Sequence, residues 1–248
     1  KIASITPLQM QEQANEWARR LVSGRKLKGL MNNVFKYAIR HGYIDSNPID
    51  SVVTTARKKI DNTSDFYNKD ELQTFLKLVE QNEDLEKIVL FRLLAFTGAR
   101  KGEVLALEWA DWSNNTLSIN KAITRGFTGE EIGSTKTASS KRLISLDEKT
   151  KDILQEWRKR NPGTRYIFEN EFSKPIPSSL PRKWLLAILK DSDLRPIKIH
   201  GFRHTHASLC FDAGMTLKQV QYRLGHSDLK TTMNVYTHIT KQAKDDIG

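Results

Sequence analysis

Apolar residues recur at helical spacing through most of the 248 residues. Thr6, Pro7 and Gln9 make a helix start, with Thr at the N-cap, Pro at the first position and Gln three residues after the cap. They predict a helix running to about Val22. Leu27, Leu30, Met31, Val34, Phe35, Ala38 and Ile39 then follow the i, i+3, i+4, i+7 stripe of an amphipathic helix. Gly42 stands where its C-terminal cap belongs, and Asn47-Pro48 closes the unit with a turn. A second capping pattern, Asn68-Lys69-Asp70-Glu71, opens helices expected at about 69–81 and 84–96. Thr97-Gly98 breaks the second of these before a short helix near Ala99–Leu107. From about Thr116 to Leu146 the period drops to two. Leu117 to Ile119 and Arg142 to Leu146 alternate and Gly126 and Gly129 punctuate, which predicts a small antiparallel sheet with a hairpin. Tyr166-Ile167-Phe168 reads as one more short strand, and helices are expected at about 147–160, 179–190, 200–213, 216–224 and 228–238.

The stretch Thr54–Asp65 is polar, basic and aperiodic, as a linker is. The expected organisation is a helical domain at 1–58, a linker at 59–66 and a larger domain at 67–248. The class is mainly α with a small antiparallel β-sheet. The chain opens on Lys1 and not Met, so the first domain is expected to be partial.

Charge narrows the function. Forty Lys and Arg stand against 29 Asp and Glu, a net charge of +11. Such a surplus marks a polyanionic partner, nucleic acid or an acidic membrane face. No run of about 18 apolar residues occurs to cross a membrane. The lone Cys210 excludes an internal disulfide framework and a Cys-based zinc site, and points to a reducing, cytoplasmic compartment. Arg25, Lys26, Lys28, Lys36 and Arg40 on the predicted second helix are the first candidates for DNA contact.

Three clusters place cations or imidazoles beside helix boundaries. In Thr97-Gly98-Ala99-Arg100-Lys101-Gly102-Glu103, an Arg just after a glycine break can offer its planar fork to an anion. In His200-Gly201-Phe202-Arg203-His204-Thr205-His206, the i, i+3 pair His200 and Arg203 suits a phosphate. The i, i+4 pair His200 and His204 also suits zinc, but no Glu lies between them as in a zincin helix. In Leu224-Gly225-His226-Ser227-Asp228, Gly225 ends one helix and Ser227 is placed to cap the next, which carries Tyr236. Taken singly, Arg100 is equally a solvated surface side chain and Tyr236 equally a core residue.

Read in order, T-G-x-R-x-x-E, K-T in a hairpin, H-x-x-R, L-G-H and a Tyr ten residues on, the second domain resembles the tyrosine recombinases, or phage integrases, across roughly 68–240. The resemblance implies a tyrosine recombinase-like, DNA breaking-rejoining catalytic domain behind a helical core-binding domain, the two clamping duplex DNA. It implies phosphate-binding Arg100 and Arg203, a hairpin Lys136, His200 and His226 in the same pocket and Tyr236 as nucleophile, with Glu103 and His204 in support. Lys121 and Lys141 lie in the same hairpin region as Lys136 and compete for its role. The implied reaction is site-specific recombination through a 3′-phosphotyrosine, serving integration or excision of a mobile element. Implied partners are att-type double-stranded DNA, a homotetramer on two duplexes, and DNA-bending or excision factors of the element or host. No metal, ATP or other cofactor is called for, in keeping with the missing P-loop and the scattered carboxylates. Three alternatives share the features. They are a type IB topoisomerase-like enzyme, an inactive DNA-binding protein on the same scaffold, and a metal-dependent nuclease built on the histidines.

Overall fold

The computed structural model describes residues 1–21, 24–54, 65–81, 84–127, 129–134 and 140–245, with the backbone alone for Arg25 and 238–245. Most of the sequence-predicted linker lies outside the described residues. The chain divides into two compact units, Lys1–Asp61 and Asn62–Gly248.

In the first unit, α1 (Pro7–Arg20) and α2 (Gly24–Arg40) pack together. Thr6 and Gln9 form the predicted capping box, and Gly42 takes the left-handed conformation (φ 71°) that ends the second helix. A side chain at position 24 would meet the Trp17 carbonyl oxygen at 2.6 Å, so glycine lets the helices close. Met10, Ala14, Phe35, Ile49 and Val52 form the core. The apolar stripe of α2 is wider than the face it buries. Phe35 and Ala38 are inside, whereas Leu30, Val34 and Ile39 are exposed, because α1 and the 49–52 turn cover only one side.

The second unit is built around α4 (Leu85–Thr97), apolar on all sides and buried from Val89 to Ala95. Beside it lie α3 (Lys69–Gln81), α6 (Glu148–Arg160) and α8 (Gly201–Asp212). Phe75, Phe91 and Phe202 meet in ring contacts of 5.1 to 5.5 Å, with Tyr67 packed on Phe75 and Phe202. Each such ring, fully buried, contributes about 1.5–3 kcal/mol. The expected single sheet is two. Strands β1 (Trp112–Ser113), β2 (Thr116–Ile119) and β5 (Arg142–Ser145) form an antiparallel sheet in the order β1-β2-β5. Strands β3 (Lys121–Arg125) and β4 (Glu130–Ser134) form a separate hairpin. Asn120 marks the break, its amide donating to Asp111 at 2.7 Å. The predicted strand at Tyr166–Phe168 makes only a single bridge, Tyr166 to Glu108, with the Ile167 N–H donating to the Leu107 carbonyl.

Helices α5 (Lys101–Leu105), α7 (Leu180–Ile188), α9 (Leu217–Leu224) and α10 (Leu229–Asp245) complete the unit. Helix α10 outruns its predicted end. Asp228 and not Ser227 caps it, accepting from the Lys230 N–H at 2.9 Å. No helix among the described residues is long and apolar enough to cross a membrane.

Candidate active site

Gly98 ends α4 in the left-handed conformation (φ 63°), and Arg100 caps α5 two residues later. A side chain at position 98 would come within 2.5 Å of the His206 ring and 2.7 Å of Leu224, so this turn admits only glycine. Glu103, buried one turn into α5, holds Arg100 twice. One carboxylate oxygen accepts the Arg100 N–H at 2.8 Å, the other its guanidinium at 2.8 Å. Arg100 stays 41% exposed at its side chain, so the fork is fixed at the base and open at the tip.

His200 is the N-cap of α8, and Arg203 follows within the first turn. Arg203 is buried and donates to the Gly98 carbonyl at 2.8 Å and the Leu224 carbonyl at 2.7 Å. The two arginines therefore meet at the same turn, one built on its chain and one bonded to it. Burial, with Arg100 close by, lowers Arg203 to about 9, which leaves it charged at neutral pH. The histidines respond to the same field. Burial and the charges of His204, Arg203 and Arg100 push His200 down to about 4. Burial, then Arg203, Arg100, His200 and His204, push His226 to about 3. Both imidazoles are thus neutral at pH 7. His226 follows the Gly225 cap of α9, and its Nδ1 shares a 2.8 Å hydrogen bond with the Thr232 hydroxyl of α10. The His204 ring stands edge-on to His200 at 5.0 Å. Arg100, Arg203, His200, His204 and His226, drawn from positions 126 apart in sequence, form one cationic cluster.

Tyr236 sits on α10, which packs on α8 and α9. Its neighbour Val235 is buried with Ala207, Cys210, Val220 and Leu224, and its own ring lies edge-on to Phe211 at 5.0 Å. The residue is 44% exposed and is not a core tyrosine. Lys136 lies outside the described residues. Of its two competitors, Lys121 is committed elsewhere, to Asp111 at 2.6 Å and Glu108 at 3.3 Å, and Lys141 is exposed. In the first unit Lys26, Lys36 and Arg40 are exposed, while Lys28 is half-buried and donates to the Val52 carbonyl. The Arg25 side chain is outside the described residues.

Beneath the cluster lies a layer absent from the sequence-derived candidates. Arg142 of β5 donates to Glu103, the Arg223 carbonyl and the Ser140 carbonyl. Arg223 donates to His206 Nε2 at 2.8 Å and to the Phe96 carbonyl at 3.0 Å. His206 is buried, with Nδ1 2.9 Å from the Ala95 carbonyl, so Nδ1 carries the proton and Nε2 accepts from Arg223. Both ring nitrogens are spent on the scaffold, and His206 cannot join His200 and His204 on a metal. One signal of this layer was visible. Arg142 shares the buried phase of an alternating strand with Ile144, an odd place for an unpaired cation.

Comparison with known proteins gives the family of the chain. The profile of the phage integrase family matches residues 65–243. The chain belongs to the phage integrase family. It is 32% identical over 226 residues to the ICEBs1 integrase of Bacillus subtilis, covering 84% of this chain and 59% of that protein's length. A XerC-like tyrosine recombinase of Caldanaerobacter subterraneus is 28% identical, covering 98% of this chain and 70% of the other. Among solved structures, the Tn1549 transposon integrase in complex with a circular intermediate DNA shares the fold. Its TM-score is 0.81 at 19% identity, over 100% of this chain and 87% of that one. The XerH recombinase bound to a palindromic difH substrate matches at a TM-score of 0.75 and 21% identity, over 98% and 72% of the two chains. Among the described residues this chain's version of the fold is mainly helical with two small antiparallel sheets.

Proposed function

We propose that this integrase-family chain is a site-specific DNA recombinase that cuts and rejoins double-stranded DNA through a 3′-phosphotyrosine. One observation carries the reading. Two arginines and two neutral histidines from three separate helix boundaries converge, and the next helix presents a half-exposed tyrosine. Arg100 and Arg203 bind the non-bridging oxygens of the scissile phosphate, where each such donor is worth about 2.7–4 kcal/mol of barrier. Neutral His200 accepts the proton of the Tyr236 hydroxyl, whose oxygen attacks phosphorus. The phosphorus–5′-oxygen bond breaks as the new phosphotyrosine forms. Lys136 gives its proton to the departing 5′ oxygen. His226 hydrogen-bonds the phosphate, while Glu103 and His204 orient their neighbours. Bond energy is retained in the protein–DNA link, so religation runs in reverse without ATP.

The unit at 67–248 is the catalytic domain in this reading, and the helical unit ahead of it is the core-binding domain. Four copies act on two duplexes at att-type sites, and the segment after Tyr236 links neighbouring copies. Relatives named integrases of mobile elements and recombinases bound to DNA support the assignment.

The test is incubation in EDTA with a nicked suicide duplex from the att-type junction flanking the gene. A covalent adduct that maps to Tyr236 and vanishes in Tyr236→Phe is expected. An adduct that persists in Tyr236→Phe, or strand cleavage that requires a divalent metal, overturns the reading.

A further inference from the structure

We propose that Arg142 is a positioning residue that sets both phosphate-binding arginines at once. It holds Arg100 through Glu103 and Arg203 through the C-terminal end of α9. The inference rests on the recombinase reading and deepens it.

The geometry has three arms. Arg142 is fully buried at its side chain and spends each nitrogen on a different element. Its NH2 donates to Glu103 Oε2 at 2.9 Å, the same oxygen that accepts the Arg100 N–H. Its Nε donates to the Arg223 carbonyl at 2.7 Å, and the adjacent Leu224 carbonyl is the one that receives Arg203. Its NH1 donates to the Ser140 carbonyl at 3.1 Å, directly after the segment 135–139 that holds Lys136. One planar fork thus fixes the carboxylate under the first arginine, the helix end under the second and the backbone at Ser140. A lysine ammonium cannot span three directions in one plane.

The burial is informative for a second reason. Arg142 brings a third cation into the neighbourhood of Arg100 and Arg203 while having no route to a substrate. Such a group is retained inside a site because it orders the groups that do touch, or because it raises the local positive field. Glu103 offsets part of that charge, and it alone bonds both Arg100 and Arg142 among the described contacts. Arg223 extends the layer to His206 and the end of α4, so the frame closes on the Gly98 turn from below.

The experiment uses Arg142→Lys, which keeps the positive charge beside Glu103 and hence the fold, with thermal unfolding recorded alongside. Single-turnover cleavage of the suicide duplex is measured with an ordinary scissile phosphate and with a neutral methylphosphonate in its place. The methylphosphonate lacks one of the charges that the arginines neutralise, so misaligning them harms it less. The expected result is a loss of about 10–100-fold on phosphate, the range typical of residues that orient a reacting group. On methylphosphonate the expected loss is under about threefold, with DNA affinity unchanged. Equal losses on both substrates mean that only the amount of folded protein fell, and overturn the proposal. Wild-type cleavage rates on both substrates also overturn it. Failure of the wild-type protein to form a Tyr236 adduct is a separate outcome, and it sinks the recombinase reading itself.

Discussion

The arginine cluster and helix α10 are held in opposite ways. Arg203, Arg142 and Glu103 are buried, and every one of them bonds two or more groups from other parts of the chain. Tyr236 is half-exposed. The contacts that hold its helix segment include the burial of Val235, a ring contact to Phe211 and the Thr232–His226 bond. In the proposed mechanism the phosphate-binding half of the site is therefore preorganised, with its dipoles and charges aimed before any substrate arrives. In the proposed mechanism the attacking residue rides on a helix held to α8 and α9 largely by apolar packing. Fixed charges save reorganisation at the moment of reaction, whereas a nucleophile that must attack and later be released gains from a helix that can shift.

The strongest way to break this contrast is to remove one support from each side. Glu103→Ala strands two guanidinium groups, Arg142 wholly buried and Arg100 partly so. Breaking a buried pair in this way is destabilising by about 3–5 kcal/mol. Tyr236→Phe keeps the ring on Phe211 at a half-exposed position, so its stability should change by no more than about 1 kcal/mol. Urea unfolding of the two variants tests the pair. Comparable losses would mean that α10 is as tightly framed as the cluster, and the contrast would collapse.

Acid should act on the cluster side as well. Burial and Arg223 push His206 down to about 3, below the ordinary imidazole value of 6.5. The unfolded chain therefore binds the proton more readily than the folded one between these values. The sign follows: stability is whole above pH 6.5 and falls as pH drops toward 3. His206 alone contributes a slope of up to about 1.4 kcal/mol per pH unit in that window. His200 and His226 shift the same way and add smaller increments, being more exposed. Denaturant midpoints at pH 7.0 and 5.5 report this loss. A stability independent of pH over that range would show that His206 takes up a proton as readily in the fold as in the unfolded chain, against its role as acceptor for Arg223.

The chain's periodicity carried most of the helices, since caps such as Thr6/Gln9 and Asn68/Glu71 and the breakers Gly98 and Gly225 act locally. Polar motifs in fixed order pointed to Arg100, His200, Arg203 and His226, which sit at helix boundaries that sequence marks, and to Tyr236 inside α10 by its spacing from His226. The supporting layer was legible only as a cation, Arg142, in the buried phase of an alternating strand. Arg142, Arg223 and His206 are tied by bonds between residues 17 to 127 positions apart, and no local pattern encodes such partners. The split of one expected sheet into two turns on Asn120 reaching Asp111, again a tertiary contact. The exposed half of the α2 stripe shows the converse, a local pattern without enough neighbouring structure to bury it.

A smaller effect sharpens where the cluster's field originates. The segment entering the second unit lies on the start of α8, close enough that a side chain at Gly201 would meet the Asp65 carbonyl at 2.2 Å. Asp65 accepts the Lys198 N–H at 2.8 Å and pairs with its ammonium, and the Tyr67 N–H donates to Thr205 at 2.9 Å. Burial alone would raise the Asp65 carboxyl, but the bonds from Lys198 and the charge of His204 hold it below the usual range. In return the carboxylate raises His200, against burial, His204, Arg203 and Arg100. Asp65→Asn removes that charge without removing bulk. Because the Lys198 partner is largely exposed, stability should fall by less than about 1 kcal/mol, and only above the carboxyl's own titration range. The His200 imidazole should titrate still lower, followed by NMR, while the packing of Tyr236 on Phe211 stays as it is. An unmoved or rising His200 would show that the entering segment supports α8 mechanically but adds nothing to the field around the phosphate.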